Sequence, residues 1–337
     1  MECRGDNFEE QSTCLCVETC NCLKTVAVLF VLIGHYYRYA EIISVSGVFR
    51  SVGFFGAALF AFLSGYGTCI SYVHKGFGNK KHWLLRKVVR IYIPFLLVSF
   101  VSEITLYRVS GGGLKKMFFS ILFNTSDPIM WYIFFVLIFN VLFLLVFSML
   151  YKNKDKFWTA FLILMTAGVI QICICSNFGI GSQWYTSTGA LLLGVFYAKL
   201  DKQIKSFIGN IYRQYGIIVC AAFGLVTMVY VSKVYNNCAF LKDIATIIAG
   251  MAFCTILYFV AIFFDKKTNA HILKSITLVG KMSLWIYLIH MKIMTILSYY
   301  FKSYLIIFLI VSFASAYFLY LMNNYFLNIK KIRKHKL

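Results

Sequence analysis

The chain has 337 residues, of which 61% are hydrophobic, 18% aromatic and only 13% charged, a balance that excludes an ordinary soluble globule. Its 33 Lys and Arg against 12 Asp and Glu give a formal charge of +21. The cations sit mainly in the connections between apolar stretches, where membrane topology places them, so no nucleic-acid partner is expected.

Ten apolar stretches follow one another at about 24–42, 53–73, 88–106, 130–150, 157–175, 185–199, 213–232, 244–264, 276–299 and 303–326. Most are long enough for a hydrocarbon core of about 30 Å, and none alternates as the strands of a membrane barrel do. The expected fold is all-α, a polytopic transmembrane helix bundle of about ten spans. Basic clusters at 75–90, 152–156, 199–213, 266–274 and 330–336 fall on one side, which makes both termini cytoplasmic. The chain divides into a cytoplasmic segment 1–23, a transmembrane domain 24–326 and a basic tail 327–337 that meets anionic lipid. No internal repeat is visible.

Residues 1–23 are too long and too acidic for the start of a signal peptide. They carry Cys14, Cys16, Cys20 and Cys22 as C-x-C-x3-C-x-C. That spacing lacks the C-x2-C knuckles of zinc sites, so reduced thiols and no metal are expected. Cys69, Cys173, Cys175, Cys220 and Cys254 fall within apolar stretches, where cysteine packs as a small hydrophobe.

The first apolar stretch carries the strongest signal. Lys24 opens it and His35 follows after ten intervening residues, roughly 16 Å further along a helix. A lysine at a helix end snorkels to water, whereas an ionisable group deep in a span is costly and points to function. A histidine that merely packs and hydrogen-bonds is the competing reading. The second stretch, GAALFAFLSGYG, brings Gly56, Ser64, Gly65, Tyr66 and Gly67; its small residues permit close helix approach and leave a hydroxyl inside the bundle.

The third stretch begins LLRKVVRIYIP. Arg86 and Arg90 share a helical face with Lys87 beside them, and guanidinium forks suit phosphate, although cations that simply anchor the inner end read the same way. Pro94 withdraws the N–H that would bond the Arg90 carbonyl, so a local break is expected there. The connection 107–129 starts with three glycines and continues as LKKMFFSILF, a pattern for a helix lying in the interface. Trp131 and Tyr132 open the fourth stretch. In the ninth, GKMSLWIYLIH, His290 lies about 13 Å beyond Lys281 and reaches a depth similar to that of His35. Tyr36, Tyr37, Tyr39, Tyr299, Tyr300 and Tyr304 read as an aromatic belt.

Together these stretches resemble the acyltransferase family 3 integral membrane proteins, which include O-acetyltransferases of bacterial surface polysaccharides. The resemblance spans nearly the whole chain. It is carried by the basic residue, ten residues, histidine pattern at Lys24 and His35, by FFGAALFAFLSGYG, RKVVRIYIP and Trp131-Tyr132, and by SLWIYLIH at 283–290. Ala58 stands where members often have an acidic residue, which removes any acid-assisted role there. Arginine is common in the family at the positions of Lys24 and Lys87. The hydrolase-like domain that some members append has no counterpart here, so the bundle is expected to act alone or with partners.

The resemblance implies transfer of an acyl group, usually acetyl from acetyl-CoA, to a carbohydrate hydroxyl, in a bacterial plasma membrane. The donor's phosphates would meet Arg86, Lys87, Arg90 and Lys24, with the thioester arm running toward His35. His35 would serve as general base or as a nucleophile carrying the acyl group. His290 would orient it, bind the acceptor or polarise the thioester; Ser64, Tyr66 and Trp131 would line the pocket. The alternative from another class is a transporter or flippase of a lipid-linked glycan, with the histidines as proton relays.

Overall fold

A computed structural model describes residues 13–39, 46–110, 130–150, 156–235, 237–265, 270–301 and 304–334. The connection 111–129, expected to carry the interfacial helix, lies outside the described residues. Eleven helices account for almost all of the rest, and among the described residues there is no strand. They are α1 (Val17–Tyr39), α2 (Ser46–Lys75), α3 (Lys80–Ser110), α4 (Met130–Met149), α5 (Phe157–Asn177) and α6 (Thr188–Lys199). Next come the short α7 (Asp201–Phe207), then α8 (Ile211–Val234), α9 (Ala239–Asp265), α10 (Ala270–Tyr300) and α11 (Leu305–Lys334). The protein is an all-α bundle, and eight of these helices are long and apolar enough to cross a membrane. Among the longer helices only α3 and α6 fall outside that set. The first turns of α3 are cationic, and α6 has 12 residues.

Local chemistry sets the helix starts. The Cys16 thiol accepts the backbone N–H of Thr19 at 3.3 Å, Asn79 that of His82 at 3.0 Å and Asn210 that of Tyr212 at 2.9 Å, each answering a donor that a helix N-terminus leaves unpaired. The tight reversal between α2 and α3 uses Gly76 and Gly78 at φ 61° and 53°, a left-handed backbone in which a Cβ is strained. Contrary to the expectation of a break, α3 runs without interruption through Pro94. Only one ladder bond is lost there, and Pro94, Phe95 and Val98 are buried, so packing holds the helix together.

Glycines bring the central helices to backbone contact. A Cβ on Gly34 would lie 2.3 Å from the Gly53 nitrogen, fixing α1 on α2. One on Gly65 would lie 2.1 Å from the Leu191 carbonyl oxygen and one on Gly194 2.1 Å from that of Phe62, fixing α2 on α6. One on Gly280 would lie 2.0 Å from the Asn21 carbonyl oxygen, fixing α10 on α1. Such approaches give van der Waals packing where lipid offers no hydrophobic drive for helix association. α8 packs chiefly on α9, and its outward residues Val219, Phe223, Val226 and Tyr230 are exposed.

Two apolar cores result. One joins α2, α4, α5, α6 and α9 with Leu23 and Ala27 of α1 and Trp83 of α3, and the other joins α1, α3, α4, α10 and α11. The aromatic-belt expectation needs correcting. Tyr36 is buried against Tyr304 and Phe308, and Tyr304 is itself buried, because helix packing closes over both rings; Tyr300 is exposed.

Candidate active site

The two intramembrane histidines meet. His35 of α1 and His290 of α10 stand edge to face with ring centroids 5.2 Å apart. Their similar depth follows from helical rise, and the close contact of α1 with α10 brings the rings together. His290 is fully buried, and its Nδ1 lies 2.6 Å from the Tyr287 carbonyl oxygen. A carbonyl only accepts, so Nδ1 carries the proton of that bond and the lone pair of a neutral His290 is on Nε2.

From this pair a column of polar and aromatic side chains runs along the bundle interior. The Tyr287 ring lies 5.7 Å from His290 and 5.4 Å from Tyr132, both centroid to centroid. Tyr132 Oη lies 3.4 Å from Ser64 Oγ. One turn further along α2, Thr68 Oγ1 donates to Asn140 Oδ1 at 3.3 Å and accepts from Lys87 Nζ at 3.2 Å. The Asn140 amide donates in turn to the Val136 carbonyl at 2.7 Å. Phe60, Ser64 and Thr68 are spaced i, i+4, i+8, so one face of α2 supplies one wall.

At the far end of the column stand the cations. Lys87 is half-buried, with its ammonium also 5.3 Å from the centroid of the Trp83 ring, whereas Arg86 and Arg90 are exposed. Lys24 is half-buried and donates to Asn21 Oδ1 at 3.2 Å. Arg90 is close enough to act on both Lys24 and Lys87, and Arg86 on Lys87, so the cations gather at one end of the column. His35, Ser64 and Tyr132 are each half-buried.

Of the residues singled out in the sequence, Lys24, Lys87, His35, His290 and Ser64 fall on the column or at its mouths. Trp131 flanks it, its ring 5.5 Å from that of Tyr132. Tyr66 does not belong there. It points to the other side of α2, where its hydroxyl donates to Asp201 Oδ1 at 2.6 Å and its ring packs on Phe62 and Tyr258. Asp201 also accepts the backbone N–H of Cys14 at 3.0 Å, while the Cys14 thiol donates to the Asp201 backbone carbonyl at 3.2 Å. Thr68 and Asn140 were not singled out, and Tyr132 and Tyr287 entered only as members of the Trp131-Tyr132 and SLWIYLIH stretches. Asn140 offered a signal, as the one amide side chain inside the otherwise apolar α4.

Fold and site together define an integral membrane protein with ionisable groups gathered in its interior. The acyltransferase domain family matches residues 19–323, nearly the whole chain and every residue of the column. The chain belongs to that family, acyltransferase family 3, and is a membrane acyltransferase. No curated protein and no solved structure matches it.

Proposed function

We propose that this enzyme moves an acyl group, acetyl in the first instance, from cytoplasmic acyl-CoA to a hydroxyl of a cell-surface or lipid-linked carbohydrate, in a bundle of about ten spans with both termini inside. The observation that carries this reading is the column. It joins four cations at one mouth to two paired histidines about 16 Å deeper, on the scale of a cofactor arm with a phosphate-rich head.

In this reading Arg86, Lys87, Arg90 and Lys24 hold the phosphates, as charge-assisted bonds favour. The thioester lies beside the histidine pair. His35 takes the proton of the acceptor hydroxyl as its oxygen attacks the thioester carbonyl; the carbon–sulfur bond breaks, and the proton passes to the thiolate, leaving an ester and free CoA. The contact of His290 with the Tyr287 carbonyl fixes its tautomer and leaves Nε2 as an acceptor, so His290 orients His35 by accepting its N–H or binds the acceptor hydroxyl.

Purified protein supplied with labelled acetyl-CoA and crude surface glycan should label the glycan, and His35→Ala should abolish the label while leaving the protein folded and inserted. Equal turnover by the two proteins would contradict the assignment.

A further inference from the structure

The middle of the column is a run of hydrogen-bonding groups in a place where a bundle could do without them. Thr68 and Asn140 are almost fully buried, Ser64 and Tyr132 are half-buried, and all four lie between apolar helices. Buried polar groups are costly unless well paired; the Asn140 amide is closed on the Val136 carbonyl at 2.7 Å, but the contacts from one side chain to the next are long. The contacts between Ser64 and Tyr132, Thr68 and Asn140, and Lys87 and Thr68 measure 3.4, 3.3 and 3.2 Å, at or beyond the long end of the ordinary range. On the opposite side of α2 the Tyr66–Asp201 bond closes to 2.6 Å. Long contacts among hydroxyl and amide groups, each able to donate and accept, are ready to be exchanged for those of a guest.

The spacing tells which guest. The two rungs, Thr68 with Asn140 and Ser64 with Tyr132, are one helical turn apart, about 6 Å along α2. They stand between the cationic mouth and the histidines. We infer that these rungs bind the two amides of the donor's pantetheine arm, Thr68 and Asn140 taking the amide nearer the nucleotide and Ser64 and Tyr132 the amide nearer the thioester. The β-alanine unit separates those amides by about 5 Å, one backbone atom more than the 3.8 Å of an α-residue. Lys87, bonded to Thr68, then marks where the phosphates begin. The inference rests on the acyl-CoA reading above and adds to it that the protein measures the length and amide pattern of the arm. Thr68, Asn140, Ser64 and Tyr132 are positioning residues in this scheme, and none takes part in bond making.

Three donors separate the rungs: acetyl-CoA, S-acetylpantetheine, which keeps both amides, and S-acetyl-N-acetylcysteamine, which keeps only the amide nearer the thioester. Within one preparation, the ratio of kcat/KM between two donors does not depend on how much protein is folded. Asn140→Leu and Thr68→Val should each lower kcat/KM for acetyl-CoA and S-acetylpantetheine by about 3- to 10-fold, the worth of one neutral hydrogen bond. Both variants should leave S-acetyl-N-acetylcysteamine unchanged. Tyr132→Phe should lower all three donors alike. If Asn140→Leu and Thr68→Val depress every donor equally, or none, the rungs are helix glue and the assignment is wrong. A wild-type protein inert toward every thioester would defeat the acyl-CoA reading together with it.

Discussion

The two sides of α2 carry polar groups of similar kind and treat them differently. Toward α6, α7 and α9 runs a seam in which Gly65 and Gly194 bring backbones into contact and Tyr66 and the Cys14 amide close on the buried Asp201 carboxylate. Toward α4 and α10 runs the column, whose contacts from side chain to side chain are longer and whose Ser64, Tyr132 and His35 are only half-buried, ending at the histidine pair. Backbone contact at glycines and a buried carboxylate met by several donors mark the part that holds the bundle together. Longer contacts and the half-buried Ser64, Tyr132 and His35 mark the part proposed to receive a substrate. A polar residue inside a membrane bundle is therefore assigned by the tightness of its contacts as much as by its identity.

The comparison can be broken first at its most demanding point. His35→Ala should reduce turnover by about 100- to 10,000-fold, the usual cost of removing a positioned base, with an unchanged melting profile in detergent. A seam substitution should do the reverse. A side chain at Gly65 meets the Leu191 carbonyl oxygen, and forcing extra bulk into a packed interior costs about 1–3 kcal/mol, occasionally more. Gly65→Val should lower the melting temperature and the yield of inserted protein while each folded molecule keeps its KM for donor; a normal melting profile would mean that the seam is not what fixes α2.

Between these extremes lie charged contacts. Arg90→Ala should raise the KM for acetyl-CoA by about 10-fold or more, since a hydrogen bond to a charged group contributes about 1.5–3 kcal/mol. The loss should shrink as salt is added. Lys331→Ala in the basic tail is the control, and equal KM values for the two would reduce the third-helix cations to topology signals. Tyr66→Phe removes a donor from a buried carboxylate and should cost about 1–3 kcal/mol of stability, read as a lower melting temperature with donor KM unmoved.

The smallest effect concerns Cys14, which precedes α1. Burial first, and then the Asp201 carboxylate beside it, push its thiol from 9.0 up to about 11. The folded value is raised, so the stability tied to the protonated thiol is complete below pH 9.0 and lost as pH rises through about 11. Maleimide should label Cys14 slowly at pH 8, where the thiolate is scarce, and faster once Tyr66→Phe loosens the seam. Rapid labelling of the wild type would show that the amino-terminal segment is not docked on Asp201.

Much of this was legible in the sequence because a membrane helix obeys simple arithmetic. Eleven positions from Lys24 to His35 and nine from Lys281 to His290 gave the two histidines a common depth, and their contact needed only that α1 and α10 be neighbours. The small residues of α2 announced close packing in the same way. What stayed hidden was which way side chains face when a helix is lined on several sides. Ser64 and Tyr66 are adjacent in one motif but about 200° apart around the helix, so the first joins the column and the second the seam. Tyr132 and Asn140 matter because α4 lies against the Ser64 face, a neighbour relation that periodicity does not encode. Pro94 shows the converse, a local rule outweighed by burial around it.

The central claim is that the column connects a donor on one face of the membrane with an acceptor on the other. Acyl-CoA is too highly charged to cross the hydrocarbon core unaided, so under this proposal the protein itself carries the acyl group between the two. In proteoliposomes of known orientation, acetyl-CoA added only on the face bearing the basic tail should acylate carbohydrate supplied only on the opposite face, with the product remaining there. Transfer seen only when donor and acceptor share one compartment would contradict the account.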